Sequence, residues 1–130
     1  MTEETEGPNG ELSLRTLAMP ADTNPSGDIF GGWLLAQMDI AGGLAAKQRA
    51  RGRTVTIAVN SMTFHKPVFV GDVACCYTNV ERVGRTSIDI RVQVWVIRGA
   101  HYGERVKVTE GLFTYVAVDE ERQPRPIPQD

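Results

Sequence analysis

The stretch NPSGDIFGGWLLAQMD, residues 24–39, decides the fold, because it joins a turn-rich segment to the start of a long apolar one. Its first half collects Asn, Pro, Ser, Gly and Asp, which is typical of a loop. The apolar segment predicts a helix from Gly31 or Gly32 to Arg51, with basic residues in its last turns and Gly52 as the C-terminal stop. Apolar residues occur almost all round this helix, so we expect it to be covered on nearly every side.

Strands are predicted on both sides of the helix. LSLRTLAMP (12–20) predicts a short first strand closed by Pro20, and four further strands follow the helix at 54–64, 72–83, 86–97 and 104–118. Short turns containing Gly or Pro favour antiparallel pairing. The sequence therefore predicts an α+β fold, in which a curved antiparallel sheet of five or six strands wraps round one long central helix.

We assign residues 12–128 to a single domain and residues 1–11 to a flexible N-terminal tail. One sheet can bury the helix on one side only. The other side of an apolar helix then needs a second subunit, so we expect a homodimer at least.

Charge and composition exclude several classes of protein. The net charge is −2, and the 14 Lys and Arg residues show no basic block, so no nucleic-acid partner is expected. The acidic first 11 residues lack the features of a secretory signal, which predicts a cytoplasmic location. Residues 29–46 are largely apolar, but Gln37 and Asp39 at their middle favour a buried helix over a membrane span.

The cysteines and histidines predict neither a disulfide nor a metal site. Cys75 and Cys76 are adjacent, so they point to opposite faces of a strand and are expected to be reduced and structural. The two histidines, His65 and His101, are placed at a strand end and in a turn, without clustered acids. We expect no bound metal.

Several segments together resemble one family. Residues 24–39, preceded by TLAMPADTN (16–24) and followed by SMTFHKPVFVGDV (61–73), VGRTS (83–87) and FTYVAVD (113–119), are similar to the acyl-CoA thioesterases of the YciA type in the hotdog superfamily. The resemblance covers about residues 14–128. It implies a hotdog fold, acyl-CoA hydrolysis in fatty acid metabolism, and no cofactor, since CoA is part of the substrate and product. It also implies a hexamer assembled as a trimer of dimers. Asn60 departs from the acidic residue that many relatives have at this position, which puts fine substrate selection or an interface hydrogen bond in doubt.

The chemistry of thioester hydrolysis fits the residues around the helix start. Unpaired backbone N–H groups near Gly31 and Gly32, together with the positive end of the helix dipole, suit a developing oxyanion. Asp39 is the predicted catalytic carboxylate, as general base or nucleophile, because an acid in an apolar helix is a better proton acceptor than a surface acid. It lies eight residues beyond Gly31, about 12 Å along a helix. If both groups act on one thioester, two subunits must share each site.

Two further polar residues stand in the loop before the helix. Asn24 matches the loop asparagine of the family, whose amide would hold the attacking water or the thioester oxygen; the alternative is an Asx-turn beside Pro25. Asp28 is a rival acid, and we expect it to cap the helix N-terminus instead.

CoA carries phosphates, so a cationic or N–H-rich patch is required. The turn formed by Gly84, Arg85, Thr86 and Ser87 matches the segment that resembles the nucleotide-binding loop of the family, and Lys66 and Arg82 are expected to assist. The alternative is an ordinary hairpin turn with solvated cations.

Two other functions are considered. A hotdog dehydratase would need a catalytic histidine, and neither His65 nor His101 belongs to the loop and helix that hold Asn24 and Asp39. A catalytically silent hotdog module that binds CoA esters is the second alternative, against which Asn24 and Asp39 argue.

Overall fold

The computed structural model describes residues 7–99 and 103–130, so the predicted turn residue His101 lies outside the described part. It contains one long helix, α1, and five strands: β1 (Glu11–Leu17), α1 (Gly31–Ala50), β2 (Thr54–Phe64), β3 (Val73–Val83), β4 (Ser87–Arg98) and β5 (Glu104–Ala117). A single turn of 3-10 helix, Pro20–Asp22, lies in the loop before α1. The strand and helix predictions are confirmed to within a few residues, although β1 begins at Glu11, inside the predicted tail.

The strands form one antiparallel sheet in the order β1-β3-β4-β5-β2, which leaves β1 and β2 at its edges. Helix α1 contacts all five strands. Its sheet-facing residues are buried together with the inward side chains of β4, which are Ile88, Ile90, Val92, Val94 and Val96. This arrangement confirms the predicted α+β architecture and the alternation of β4.

Helix α1 is open on the side that faces away from the sheet. Leu35, Ile40 and Leu44 are between 38% and 51% exposed, and the edge strand β2 exposes further apolar side chains, Val55, Ile57, Val59 and Phe64. The expectation that α1 is covered on nearly every side is therefore not met within one chain. The open apolar face runs along β2 and along α1, the helix that also holds Gly31, Gly32 and Asp39 of the predicted site.

The end of α1 differs from the prediction. The left-handed residue that ends the helix is Arg51, with φ 57°, and Gly52 is not the stop. The Arg51 guanidinium bonds the Asp130 carboxylate at 3.2 Å, and both side chains are exposed. Gly52 has a different role: an added Cβ would lie 2.5 Å from the guanidinium of Arg125, which donates to the carbonyl oxygen of Ala50.

Cys75 and Cys76 are both free and buried, and burial, followed by the neighbouring Cys75, raises the pKa of the Cys76 thiol to about 12. No three His, Cys, Asp or Glu side chains in residues 7–99 and 103–130 come together as metal ligands. No helix in these ranges has both the length and the apolar character that crossing a membrane requires.

A buried ion pair holds the segment between β2 and β3. Asp72 is only 3% exposed, and both its carboxylate oxygens accept hydrogen bonds from Arg98 of β4, at 2.8–3.2 Å. Arg98 also donates to the carbonyl oxygen of Pro67 and lies over the ring of Phe69, 4.7 Å from its centroid. Burial makes this pair costly to break, because the remaining carboxylate would stay out of water.

We predict that Arg98→Met lowers the free energy of unfolding by about 3 kcal/mol, since it leaves the Asp72 carboxylate buried without its cation. Urea denaturation at equal protein concentration measures this, with Arg105→Met as a control, because the exposed Arg105 donates a side-chain hydrogen bond only to the Tyr77 hydroxyl among the described residues. A loss for Arg98→Met no larger than that of the control would contradict the prediction.

Candidate active site

Two hydroxyl groups orient the carboxylate of Asp39. The Thr56 hydroxyl of β2 donates to Asp39 Oδ1 at 2.8 Å. The Tyr115 hydroxyl of β5 lies 3.0 Å from the same oxygen and 3.1 Å from the Asp39 carbonyl oxygen, and its single proton serves one of them at a time. Within the described part of the chain, Asp39 Oδ2 accepts no hydrogen bond. One carboxylate oxygen is therefore held, and the other is open to water or substrate.

Tyr115 can approach Asp39 because helix α1 has a glycine, Gly42, where the tyrosine hydroxyl lies against it. Tyr115 is 1% exposed, and a Cβ on Gly42 would lie 2.3 Å from its hydroxyl oxygen. Only glycine allows this approach. Burial, and next the Asp39 carboxylate, raises the pKa of Tyr115, so its hydroxyl stays protonated as a donor well above neutral pH.

The loop before α1 is built around the Asn24 side chain. Asn24 Oδ1 accepts hydrogen bonds from the backbone N–H groups of Ser26 at 2.9 Å and Asp28 at 3.1 Å, so the Asx-turn alternative is present. No acceptor among the described residues takes a hydrogen bond from the Asn24 amide nitrogen, and Asn24 lines a shallow pocket together with Gly31. The asparagine can therefore hold the loop with its oxygen and offer its amide to a ligand.

The expected capping role of Asp28 is wrong. The N-cap of α1 is Phe30, and no side chain makes a capping hydrogen bond there. The N-cap residue Phe30 has extended backbone and lies two residues after Asp28. The Asp28 carboxylate is therefore not at the position from which a side chain accepts hydrogen bonds from the first turn. Asp28 lines the Asn24 pocket instead.

Backbone donors are present at the start of α1, as predicted. Neither Gly31 nor Gly32 N–H donates a hydrogen bond within residues 7–99 and 103–130. The two glycines differ in the space beside them. Gly31 borders the Asn24 pocket, whereas a Cβ on Gly32 would lie 2.6 Å from the Phe30 ring. Space for a thioester carbonyl therefore exists at Gly31, and the space at Gly32 is filled by Phe30.

His65 and Lys66 both line the Asn24 pocket. This corrects the expectation that His65 lies apart from the loop and helix that hold Asn24 and Asp39. The backbone N–H groups of both residues donate to the Val108 carbonyl, which brings the end of β2 beside the loop. A contact between segments that are distant in sequence therefore places His65 beside the Asn24 pocket.

The predicted CoA-binding residues do not come together in one chain. Ser87 pairs with Val116 near one end of β5, and Lys66 bonds Val108 near the other end. Eight residues of strand separate these positions, about 27 Å. The turn Gly84–Ser87 lies at the far end, and Arg82 lies beside it, 4.0 Å from Asp89. Lys66 and this turn therefore do not form one binding patch on the chain.

The Gly84–Ser87 turn is fixed by the proline-rich C-terminal segment. The Gly84 N–H donates to the Ser87 carbonyl at 2.7 Å, and the Ile127 N–H donates to the Arg85 carbonyl at 2.8 Å. The Gln129 amide donates to the Gly84 carbonyl at 3.2 Å. These bonds leave the Arg85 side chain exposed and free to point into solvent.

Sequence reasoning missed Thr56 and Tyr115. Tyr115 belongs to FTYVAVD, one of the segments on which the resemblance rests, but nothing in an alternating strand distinguishes a tyrosine that bonds an acid from one that only packs. The short Gly42-Gly43 pair was the available signal, since it predicts that another group approaches the helix one turn after Asp39.

Comparison with known proteins identifies the family. The family model described as "Thioesterase superfamily" matches residues 26–102. The acyl-CoA thioester hydrolase YciA of Salmonella typhimurium is 58% identical over 98% of each chain. The hexameric thioesterase y2039 of Yersinia pestis is 58% identical, with a TM-score of 0.90 over 95% of this chain and 99% of that one.

A more distant solved relative bears on the site. An acyl-CoA hydrolase of Staphylococcus aureus is 27% identical, with TM-scores of 0.83 and 0.80 for two variants that cover 88% of this chain and 68% and 70% of theirs. One variant replaces an asparagine by alanine, and the other replaces an aspartate 15 positions later. Asn24 and Asp39 have the same separation in this chain. The chain belongs to the hotdog thioesterase superfamily and, within it, to the YciA-type acyl-CoA thioester hydrolases.

Proposed function

We propose that the chain hydrolyses acyl-CoA to free CoA and a carboxylic acid at sites that two subunits share, with Asp39 of one subunit opposite Asn24 and Gly31 of the other. The observation that supports this most strongly is the oriented carboxylate of Asp39, which has one oxygen held by Thr56 and Tyr115 and the other open. An acid held in this way has the geometry of a general base or a nucleophile.

The reaction begins at the open oxygen, Asp39 Oδ2. As a general base, Asp39 takes a proton from water while the water oxygen bonds the thioester carbon; the carbon–sulfur bond then breaks, and the CoA thiolate takes up the proton. As a nucleophile, Oδ2 bonds that carbon itself, CoA leaves as the thiolate, and water hydrolyses the resulting anhydride. In both routes the carbonyl oxygen becomes negative and is stabilised by the free N–H of Gly31 and the Asn24 amide.

The open apolar face of α1 and β2 supports the shared site. Leu35, Ile40 and Leu44 are exposed on the helix next to the β2 edge, where a second copy would cover them. Edge-to-edge pairing of two antiparallel β2 strands would set the Thr56 end of one strand beside the Phe64 end of the other. That places Asp39 of each subunit near the Asn24 pocket of its partner.

The assembly proposal extends to a hexamer built as a trimer of dimers, for which the hexameric Yersinia pestis relative is the support. A cytoplasmic location stays a prediction from the sequence. The competing function is a catalytically silent module that binds CoA esters. Thiol release from acyl-CoA distinguishes it from a thioesterase.

We predict that Asp39→Asn lowers kcat for acyl-CoA by at least about a hundredfold, because an amide neither accepts the proton of water nor attacks the thioester. Thiol release from a panel of short-chain to long-chain acyl-CoAs measures this, after circular dichroism has shown that the variant is folded. Asp28→Asn is the matched control and is expected to lose less than tenfold. A folded wild type that binds acyl-CoA without releasing thiol would support the silent module, and full activity in Asp39→Asn would remove Asp39 from the mechanism.

Removing the Tyr115 hydroxyl should affect catalysis more than binding. We predict that Tyr115→Phe lowers kcat by about tenfold and leaves KM nearly unchanged, since the ring still fills its buried position while Asp39 loses one of its two orienting donors. Steady-state kinetics provides the test, with Tyr77→Phe as the control, because Tyr77 accepts a hydrogen bond from Arg105 at a distance from the site. A change confined to KM would contradict an orienting role.

A further inference from the structure

A second cavity opens beside the Asp39 carboxylate. It is lined by Thr54 and Thr56 of β2, by Tyr115, by Gly43, and by two cations, Lys47 and Arg53. Thr56 and Tyr115 are the two residues that bond Asp39, so the cavity begins where the carboxylate is held. The other polar side chains at its wall are Thr54 and the two cations, and no acid of the described residues lines it.

The two cations are available to bind an anion. Within the described part of the chain, neither Lys47 nor Arg53 makes an ion pair or a side-chain hydrogen bond, and both are exposed. Nearby arginines are already engaged: Arg51 bonds Asp130, and Arg49 donates to the Pro128 carbonyl at 2.7 Å. An anionic ligand can therefore bind Lys47 and Arg53 without displacing an intramolecular partner.

The cavity lies between Asp39 and the Gly84–Ser87 turn. The Arg53 carbonyl accepts the Val118 N–H at 3.0 Å, and the Thr86 carbonyl accepts the Ala117 N–H at 2.9 Å. Arg53 and the turn thus flank the same end of β5. A ligand that extends from Asp39 to the turn passes Lys47 and Arg53 on the way.

We propose that Lys47 and Arg53 bind the diphosphate of CoA. This inference rests on the proposed thioesterase function and adds the path of the substrate. In CoA the diphosphate joins the pantetheine arm, which ends in the thioester sulfur, to the adenosine nucleotide. The order of groups in CoA therefore matches the order Asp39, Lys47 with Arg53, and Gly84–Ser87 along the protein surface. A guanidinium can bond two phosphate oxygens at once, and an ammonium supplies a second charge.

The consequence is a direction for the bound substrate. The CoA portion runs across the subunit that provides Asp39, and the acyl portion points toward the partner's helix start. Lys66 lies at the other end of the sheet, in the pocket that contains Asn24. In this orientation it contacts the acyl portion of the substrate and not the diphosphate.

The test compares the double variant Lys47→Met, Arg53→Met with the wild type on two substrates, an acyl-CoA and the acyl-pantetheine of the same chain length, which has no phosphate. We expect KM for acyl-CoA to rise about tenfold or more with little change in kcat, and kinetics on acyl-pantetheine to stay unchanged. The increase in KM of the wild type with ionic strength should also weaken in the variant.

Arg105→Met, which removes an exposed cation at the opposite end of β5, is the matched control and should leave both substrates unaffected. The proposal is overturned if the double variant keeps the wild-type KM for acyl-CoA, or if it loses activity equally on both substrates. If the wild type itself hydrolyses neither substrate, the proposed function fails before this inference is reached, so the two failures are distinguishable.

Discussion

The structure depends on one constraint, which is that a single rigid helix holds both groups to which we assign the catalytic chemistry. Gly31, with its free N–H, begins α1, and Asp39 follows eight residues later on the same helix, about 12 Å away. No side-chain rotation brings the carboxylate to the donors of its own helix start. The distance is set by the backbone hydrogen bonds of α1, so a second copy of the chain is the simplest source of the missing half.

The same constraint explains the surface of the chain. An apolar helix that is sealed on all sides would be well packed, but its Asp39 would have no access to a partner. The sheet instead covers one side of α1 and leaves Leu35, Ile40 and Leu44 exposed beside the unpaired edge of β2. Burial of that face by a second subunit would lower the free energy of the assembly and complete the site at the same time. In the proposed dimer, one interface therefore contributes to both stability and catalysis.

Much of the fold could be predicted from the sequence because local patterns specify it. The alternation in β4 and the apolar run after Gly31 gave the elements to within a few residues. One misplaced feature depends on contacts between distant segments, since the end of β2 bonds Val108 and His65 thereby lies beside the Asn24 pocket. The roles of Thr56 and Tyr115 were invisible for the same reason, since strand pairing, not sequence spacing, brings both hydroxyls to Asp39.

Subunit complementation tests the shared site most directly. Asp39→Ala and Asn24→Ala proteins, each expected to be nearly inactive, are unfolded together, refolded as a mixture and assayed for thiol release from acyl-CoA. Random pairing makes half of the dimers mixed, and each mixed dimer contains one site with both native residues, so the account predicts recovery of about a quarter of the wild-type activity. Mixed dimers, verified by a tag on one variant, that show no more activity than the separate variants would contradict it and place both residues in a site within one chain.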